Sequence, residues 1–340
     1  MPNVVLTRIV LVSAFVSSIV GGVYGYFAHD TLGTGVALGA VLGATFPVLD
    51  VFVFQGRIGP DPRRLPFPVY IGLRSIAYVV VIVVIEEVVV GTFLGPWSSA
   101  GITLVDIAFA LAVSVAANLM FGMAQLLGPS VLLAFAVGRY HRPRREERAL
   151  LFIDLTASTA TAERLGEARF LDFLSAFIAD VSQAVVENRG EIHKYVGDEI
   201  IATWRLHADR NDAGIVRACF AARDRLAARR DDYLRDFGVG ADFRAALHGG
   251  PVIVGEIGTF KKEIALIGDA MNTTARILDA CRDSGRNVLA SAALLERLAD
   301  LPAAIAVEPS APIALRGKSA SLQVSALERK TSAPLPGACP

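Results

Sequence analysis

Two aspartates stand where β-prone runs give out. Residues 190–204, GEIHKYVGDEIIATW, carry Ile192, Tyr195 and Val196 into Gly197-Asp198, then continue with Ile200, Ile201, Ala202 and Trp204. Two short β-prone runs about a Gly-Asp turn predict a hairpin with the Asp198 carboxylate at its tip. The apolar run 150–153 likewise ends at Asp154, ahead of the small polar stretch 156–159. Either aspartate alone is an ordinary turn or cap residue. Together, at two strand ends, they can hold hard divalent cations, because Mg2+ takes oxygen ligands and often keeps one or two carboxylates beside substrate phosphates. A third group lies downstream, where Asn272 and Arg276 are spaced i, i+4 and share one face of a helix that begins after Gly268-Asp269. The forked donors of arginine suit a phosphate group in transfer.

Four stretches in order, FIDLTAST (152–159), HKYVGDEIIATW (193–204), HGGPVIVGEIG (248–258) and IALIGDAMNTTARI (264–277), carry a resemblance to the class III nucleotide cyclase catalytic domain. It extends over residues 148–328. The resemblance implies conversion of ATP or GTP to a 3′,5′-cyclic nucleotide. It makes Asp154 and Asp198 the metal aspartates for two Mg2+ or Mn2+ ions per site, with the backbone carbonyl of Leu155 as a further ligand. It makes Asn272 and Arg276 the pair that acts on the transition state, and Lys318, in Leu-Arg-Gly-Lys, a phosphate-binding lysine. Lys194 matches the adenine-accepting lysine of adenylyl cyclases, where guanylyl cyclases usually carry an acidic residue. At Ala265 the chain departs from the Asp or Thr common in the family, and alanine cannot bond the adenine amino group. In the family the metal aspartates come from one subunit, and the base-reading lysine and Asn/Arg pair from the other. One copy of each per chain implies a homodimer with two equivalent sites.

The elements that must position these groups occupy only the second half of the chain. Hydrophobic residues make up 53% of the 340, with mean hydropathy +0.49, and the excess lies almost entirely before residue 139. A membrane half is therefore joined to a soluble half. The formal net charge of zero argues against nucleic acid as the main partner. Cys219, Cys281 and Cys339 show no metal-ligand spacing and read as two core thiols and one tail thiol in a reducing compartment.

Four apolar stretches, 4–27, 35–54, 69–90 and 102–137, are long enough to cross a bilayer, which takes about 20 residues. The last is interrupted by Gly128-Pro129 and is expected to leave the membrane towards the soluble half. Arg57, Arg63 and Arg64 lie in the loop 55–68, and a basic run fills 139–148, whereas the loops 29–34 and 91–103 hold no Lys or Arg. By the positive-inside rule both termini and the catalytic half are cytoplasmic, giving a multi-pass protein of the inner membrane. Asp50 and Arg74 lie at similar depth and can pair; Glu86, Glu87 and Asp106 can form an acidic outer site for a cation or amine, an unidentified membrane or extracytoplasmic ligand. The bland counterpart is a snorkelling arginine and interfacial glutamates.

The expected organisation is a multi-span α-helical membrane domain (1–138), a basic coupling segment (139–148) that anchors at the membrane surface, an α+β ferredoxin-like catalytic domain (149–329) and a disordered tail (330–340). In the catalytic domain the pattern predicts a strand (149–154), a helix (163–189), a hairpin (191–205), a helix (212–231), a strand (242–248), a short hairpin partner (251–257), a strand (263–267) and a helix (269–282). The reading is a membrane-anchored adenylyl cyclase. Its rivals are a guanylyl or relaxed-specificity cyclase, which Ala265 favours, and a non-catalytic nucleotide-binding receptor, which the intact Asp154, Asp198, Asn272 and Arg276 disfavour.

Overall fold

The computed structural model describes residues 3–49, 66–87, 103–127, 138–207, 212–310, 312–314 and 321–330. It divides into two units, residues 1–129 and 130–340. Asp50, Lys318, Cys339, the loop 55–65 and the tail 331–340 lie outside the described residues.

The first unit contains helices α1 (Asn3–His29), α2 (Leu32–Leu49), α3 (Phe67–Ile85) and α4 (Leu104–Leu127). Among the described residues three helices are long and apolar enough to span a membrane, Val10–His29, Leu32–Leu49 and Pro68–Ile85, with a shorter apolar helical stretch at Leu104–Met120. Small residues let α1 and α2 touch backbone to backbone: a Cβ on Gly39 would lie 2.1 Å from the Ser17 carbonyl oxygen, and one on Gly35 would lie 2.3 Å from that of Gly21. Helix pairs in lipid favour such close approach, since lipid tails leave little hydrophobic drive for association. Arg74 is buried, with its guanidinium over the rings of Tyr70 and Tyr78.

The expected acidic outer site takes a different form. Asp106 accepts hydrogen bonds from Tyr24 Oη at 2.6 Å and from the Thr103 backbone N–H and hydroxyl, and it contacts His29 Nε2 at 2.7 Å. Its oxygens are therefore engaged within the chain. Glu87 is exposed, whereas Glu86 is buried, and its Oε1 has no partner among the described residues.

The second unit is built on β1 (Arg144–Leu155), which begins five residues ahead of the expected strand at 149. Residues 144–148 of the basic run thus belong to this strand. Arg148 is only 2% exposed and is held by Glu146 at 2.6 Å and Glu191 at 3.2 Å, while Tyr140 is buried beside it. After β1 come α5 (Ser158–Leu165), α6 (Glu167–Glu187), the hairpin β2 (Glu191–Val196) and β3 (Glu199–Arg205), α7 (Gly214–Ala228) and α8 (Arg230–Phe237). They are followed by β4 (Phe243–Ile257), β5 (Glu263–Ile267), α9 (Asp269–Ser284), β6 (Val288–Ser291) and α10 (Ala292–Leu295). Last are β7 (Ile305–Pro309), the small pair β8 (Ile313–Ala314) and β9 (Ser321–Leu322), and β10 (Val324–Arg329).

The main sheet runs β2-β3-β1-β4-β6-β10-β7, with β5 also on β4; β4 and β6 are parallel and the other pairs antiparallel, so the sheet is mixed. Both faces of β1 are covered. Leu151, Ile153 and Leu155 pack with α6 and α7 through Phe173, Phe177, Ile215 and Val216, and Leu150 and Phe152 pack with α9 through Ile277, Leu278 and Cys281. Alternate residues of a strand point to opposite faces, so a strand covered on both sides is apolar throughout, as 149–153 is. Cys219 and Cys281 are the expected core thiols, free and buried, and burial pushes both up to about 12.

Two expected helices divide, and an expected hairpin is one strand. The helix 163–189 is split at Gly166, whose φ of 73° suits glycine, and 212–231 divides into α7 and α8. Gly249-Gly250-Pro251 reads as a turn but lies inside the single strand β4, paired with β1 from Leu155↔Phe243 to Arg144↔Val254. The glycines there make room for packing, since a Cβ on Gly249 would meet Leu294 at 3.0 Å and one on Gly250 would meet Ala270 at 3.1 Å.

Candidate active site

The register of three strands brings the acidic groups to one end of the sheet. Asp154, next to last in β1, pairs with Glu199 of β3 and with Arg244 of β4. Val196 pairs with Glu199, so Gly197 and Asp198 form the two-residue turn that the sequence predicts, with Gly197 at φ 63°. Asp198 is therefore one residue from the partner of Asp154. Glu199, which sequence reasoning passed over although it follows Asp198 directly, adds a third carboxyl: its burial, and then Asp154 and Asp198, hold it above the usual carboxylate range. Leu155, at the end of β1, is buried.

A side-chain cation reaches this end of the sheet from α9. Arg282, in the last turn of α9, donates from Nη2 to Asp154 Oδ2 at 2.8 Å and lies 3.8 Å from Asp279. Asp154 is nearly buried at 7% exposure, and a carboxylate so placed needs a positive partner. An all-oxygen donor set of Asp154 and Asp198, with a guanidinium standing in for a cation on one of them, fits a hard divalent metal.

Asn272 and Arg276 lie on the same helix as Arg282 but elsewhere. The buried face of α9 is Ala270, Thr273, Thr274, Ile277, Leu278 and Cys281. Asn272 is exposed and Arg276 half-buried on the other side, and neither makes a side-chain hydrogen bond or ion pair among the described residues. At 1.5 Å per residue Arg276 lies about 9 Å, and Asn272 about 15 Å, along the axis from the level of Arg282. The chain thus brings Asp154 and Asp198 together and leaves Asn272 and Arg276 apart from them, turned outward.

Lys194 sits beside an irregularity that local sequence does not reveal. The β2–β3 register shifts between Ile192 and Lys194, a bulge at His193 of the kind that re-aims side chains. Lys194 Nζ then pairs with Glu263 on β5 at 2.9 Å, and the lysine holds the Glu263 carboxyl below its usual range. Ala265 follows Glu263 by two residues on the same strand and so shares its face. Glu263, which carries no motif that would single it out in the sequence, thus puts a carboxylate on the face of β5 that holds Ala265.

Burial, and then the charge of Lys194, push the His193 imidazole down to about 4. The unfolded chain, at the ordinary 6.5, binds more protons between those two values. Stability is therefore complete above about pH 6.5 and is lost as the pH falls towards 4, by roughly 2 kcal/mol once partial exposure is allowed for. Thermal midpoints at pH 7 and pH 5 should fall less in His193→Gln than in the wild type; equal falls would remove His193 as the cause.

Residues 141–326 match the family described as the adenylate and guanylate cyclase catalytic domain. Adenylate cyclase 2 of Rhizobium meliloti is 37% identical over 219 residues, 64% of this chain and 60% of that protein. The adenylate cyclase of Anabaena cylindrica is 28% identical over 154 residues, 44% of this chain and 30% of that protein. The chain thus spans less than two thirds of the length of these curated relatives. Among solved structures, a bacterial light-regulated adenylyl cyclase superposes with a TM-score of 0.57 at 16% identity, over 68% of this chain and 67% of that one, a likeness of fold. With its mixed sheet, its two strand-end aspartates and the matched span, the chain belongs to the adenylate and guanylate cyclase catalytic domain family.

Proposed function

We propose that this protein is a membrane-anchored adenylyl cyclase that converts ATP to 3′,5′-cyclic AMP and pyrophosphate at sites shared between two copies of the chain. The observation that carries the reading is the division of the candidate residues: Asp154 and Asp198 stand at one sheet end, while Asn272 and Arg276 face outward, unpartnered among the described residues. A second copy would supply what each half lacks. Exposed apolar side chains at Tyr195, Val196, Ile253, Ile257, Phe260 and Ile267 offer a surface for it. The likeness to adenylate cyclase 2 of Rhizobium meliloti favours the same chemistry.

In this mechanism the ribose 3′-oxygen attacks the α-phosphorus. The O3′–P bond forms, the bond from that phosphorus to the bridging oxygen breaks, pyrophosphate leaves, and the 3′-hydroxyl proton passes to water. Asp154 and Asp198, with the Leu155 carbonyl, would hold Mg2+ or Mn2+, which supplies charge neutralisation and a lowered 3′-hydroxyl pKa. Arg276 donates to the phosphate oxygens as charge builds, and Asn272 orients the ribose. Lys194, fixed by Glu263, donates to the purine, and Lys318 binds the triphosphate. The apolar helices α1 to α4 anchor the enzyme with its catalytic half in the cytoplasm.

Ala265 favours a second reading, a cyclase with relaxed base choice. The test is product identity: full-length protein with ATP or GTP and Mn2+ or Mg2+, with the products separated by chromatography. Cyclic AMP from ATP, in clear excess over cyclic GMP from GTP, is the expected result. Comparable yields of both would establish the relaxed cyclase, and no cyclic product from folded protein would overturn the assignment.

A further inference from the structure

Asp154 carries a contact that the proposed chemistry does not use. Its Oδ2 accepts the Arg282 Nη2 donor at 2.8 Å, across 128 positions of sequence. The carboxylate side chain is 10% exposed and the arginine 52%, so the acid is fixed in the domain while the base reaches it from the rim. Asp198, Glu199 and Asp279 add negative charge around the guanidinium. A lysine or arginine in the last helical turn is favourable for the helix dipole alone, which is the plain structural role for Arg282. That role does not require its guanidinium to bond a nearly buried carboxylate at the centre of the site.

We propose that Arg282 is a built-in counter-ion that occupies Asp154 Oδ2 in the metal-free chain and competes with the divalent cation for it. This rests on Asp154 being a metal ligand. A cation that takes Asp154 Oδ2 must first release Arg282, and the half-exposed guanidinium can return to water at little cost. The apparent metal affinity is then the intrinsic affinity reduced by the fraction of chains in which the pair is open. Arg282 thereby sets the metal concentration at which the site fills, and it keeps the carboxylates from repelling one another until then.

The test uses the full chain in detergent, without nucleotide, titrated with Mn2+ while the electron paramagnetic resonance signal of free Mn2+ is followed. Arg282→Gln should bind Mn2+ about threefold to tenfold more tightly than the wild type, the range expected for a partly exposed ion pair. Arg282→Lys, which keeps the charge but loses the fork, should lie between them, and it carries the comparison if the glutamine variant fails to fold. Arg282→Gln should also show a larger Mn2+-induced rise in thermal midpoint. Equal or weaker affinity in the variants would overturn the proposal. Asp154→Ala should lose this binding; unchanged Mn2+ binding there would instead overturn the metal-site reading beneath it.

Discussion

Replacing Asp198 with alanine should lower turnover by about a thousandfold or more, roughly 4 kcal/mol of barrier. Asp198 sits at the tip of the β2–β3 hairpin, one residue from the strand partner of Asp154, so its loss would leave Asp154 as the one remaining aspartate of the proposed metal pair. The fold should be unaffected: the turn conformation is set by Gly197, and Asp198 makes no side-chain bond to another described residue. Turnover with saturating ATP and Mn2+, beside a thermal midpoint for each protein, checks both statements. Near-normal turnover in a folded Asp198→Ala protein would remove Asp198 from the metal site. Asp154→Ala should be as inactive but less innocent structurally, because it also strands Arg282.

Arg276→Ala should lower kcat by about a hundredfold to a thousandfold with KM for ATP changed little, the pattern of a donor that acts on charge developing in the transition state. Arg276 is half-buried on the outward side of α9, away from Ile277, Leu278 and Cys281, so truncation should cost little stability. Arg276→Lys should recover only part of the rate, since a point charge cannot replace a two-pronged donor. A rise in KM at constant kcat would place Arg276 in ground-state binding only.

Much of the site is legible in the sequence because it is local. Gly197-Asp198 between two β-prone runs specifies a hairpin and its tip, and the i, i+4 spacing of Asn272 and Arg276 specifies a shared helix side; the structure has both. What is illegible depends on pairing between distant segments. Nothing near Asp154 announces Arg282, and nothing near Lys194 announces Glu263, because strand register and helix docking bring them together. Gly249-Gly250-Pro251 has the composition of a turn, yet its glycines admit Leu294 and Ala270 against a continuous strand. The close seam of α1 and α2 is the opposite case. Gly35, Gly39 and Gly43 recur every four residues, a spacing that by itself marks a stripe for close helix contact.

The central claim is that one site draws on two chains, and mixing tests it most directly. Asp198→Ala and Arg276→Ala proteins, each inactive alone, are combined in equal amounts under conditions that allow subunits to exchange, and cyclic AMP is measured. Half of the dimers should then be mixed, and each mixed dimer should hold one intact site of two, so activity should return to about a quarter of the wild type. Activity that stays at the level of the separate variants, with exchange shown by differently tagged chains, would contradict a shared site and place all the chemistry within a single chain.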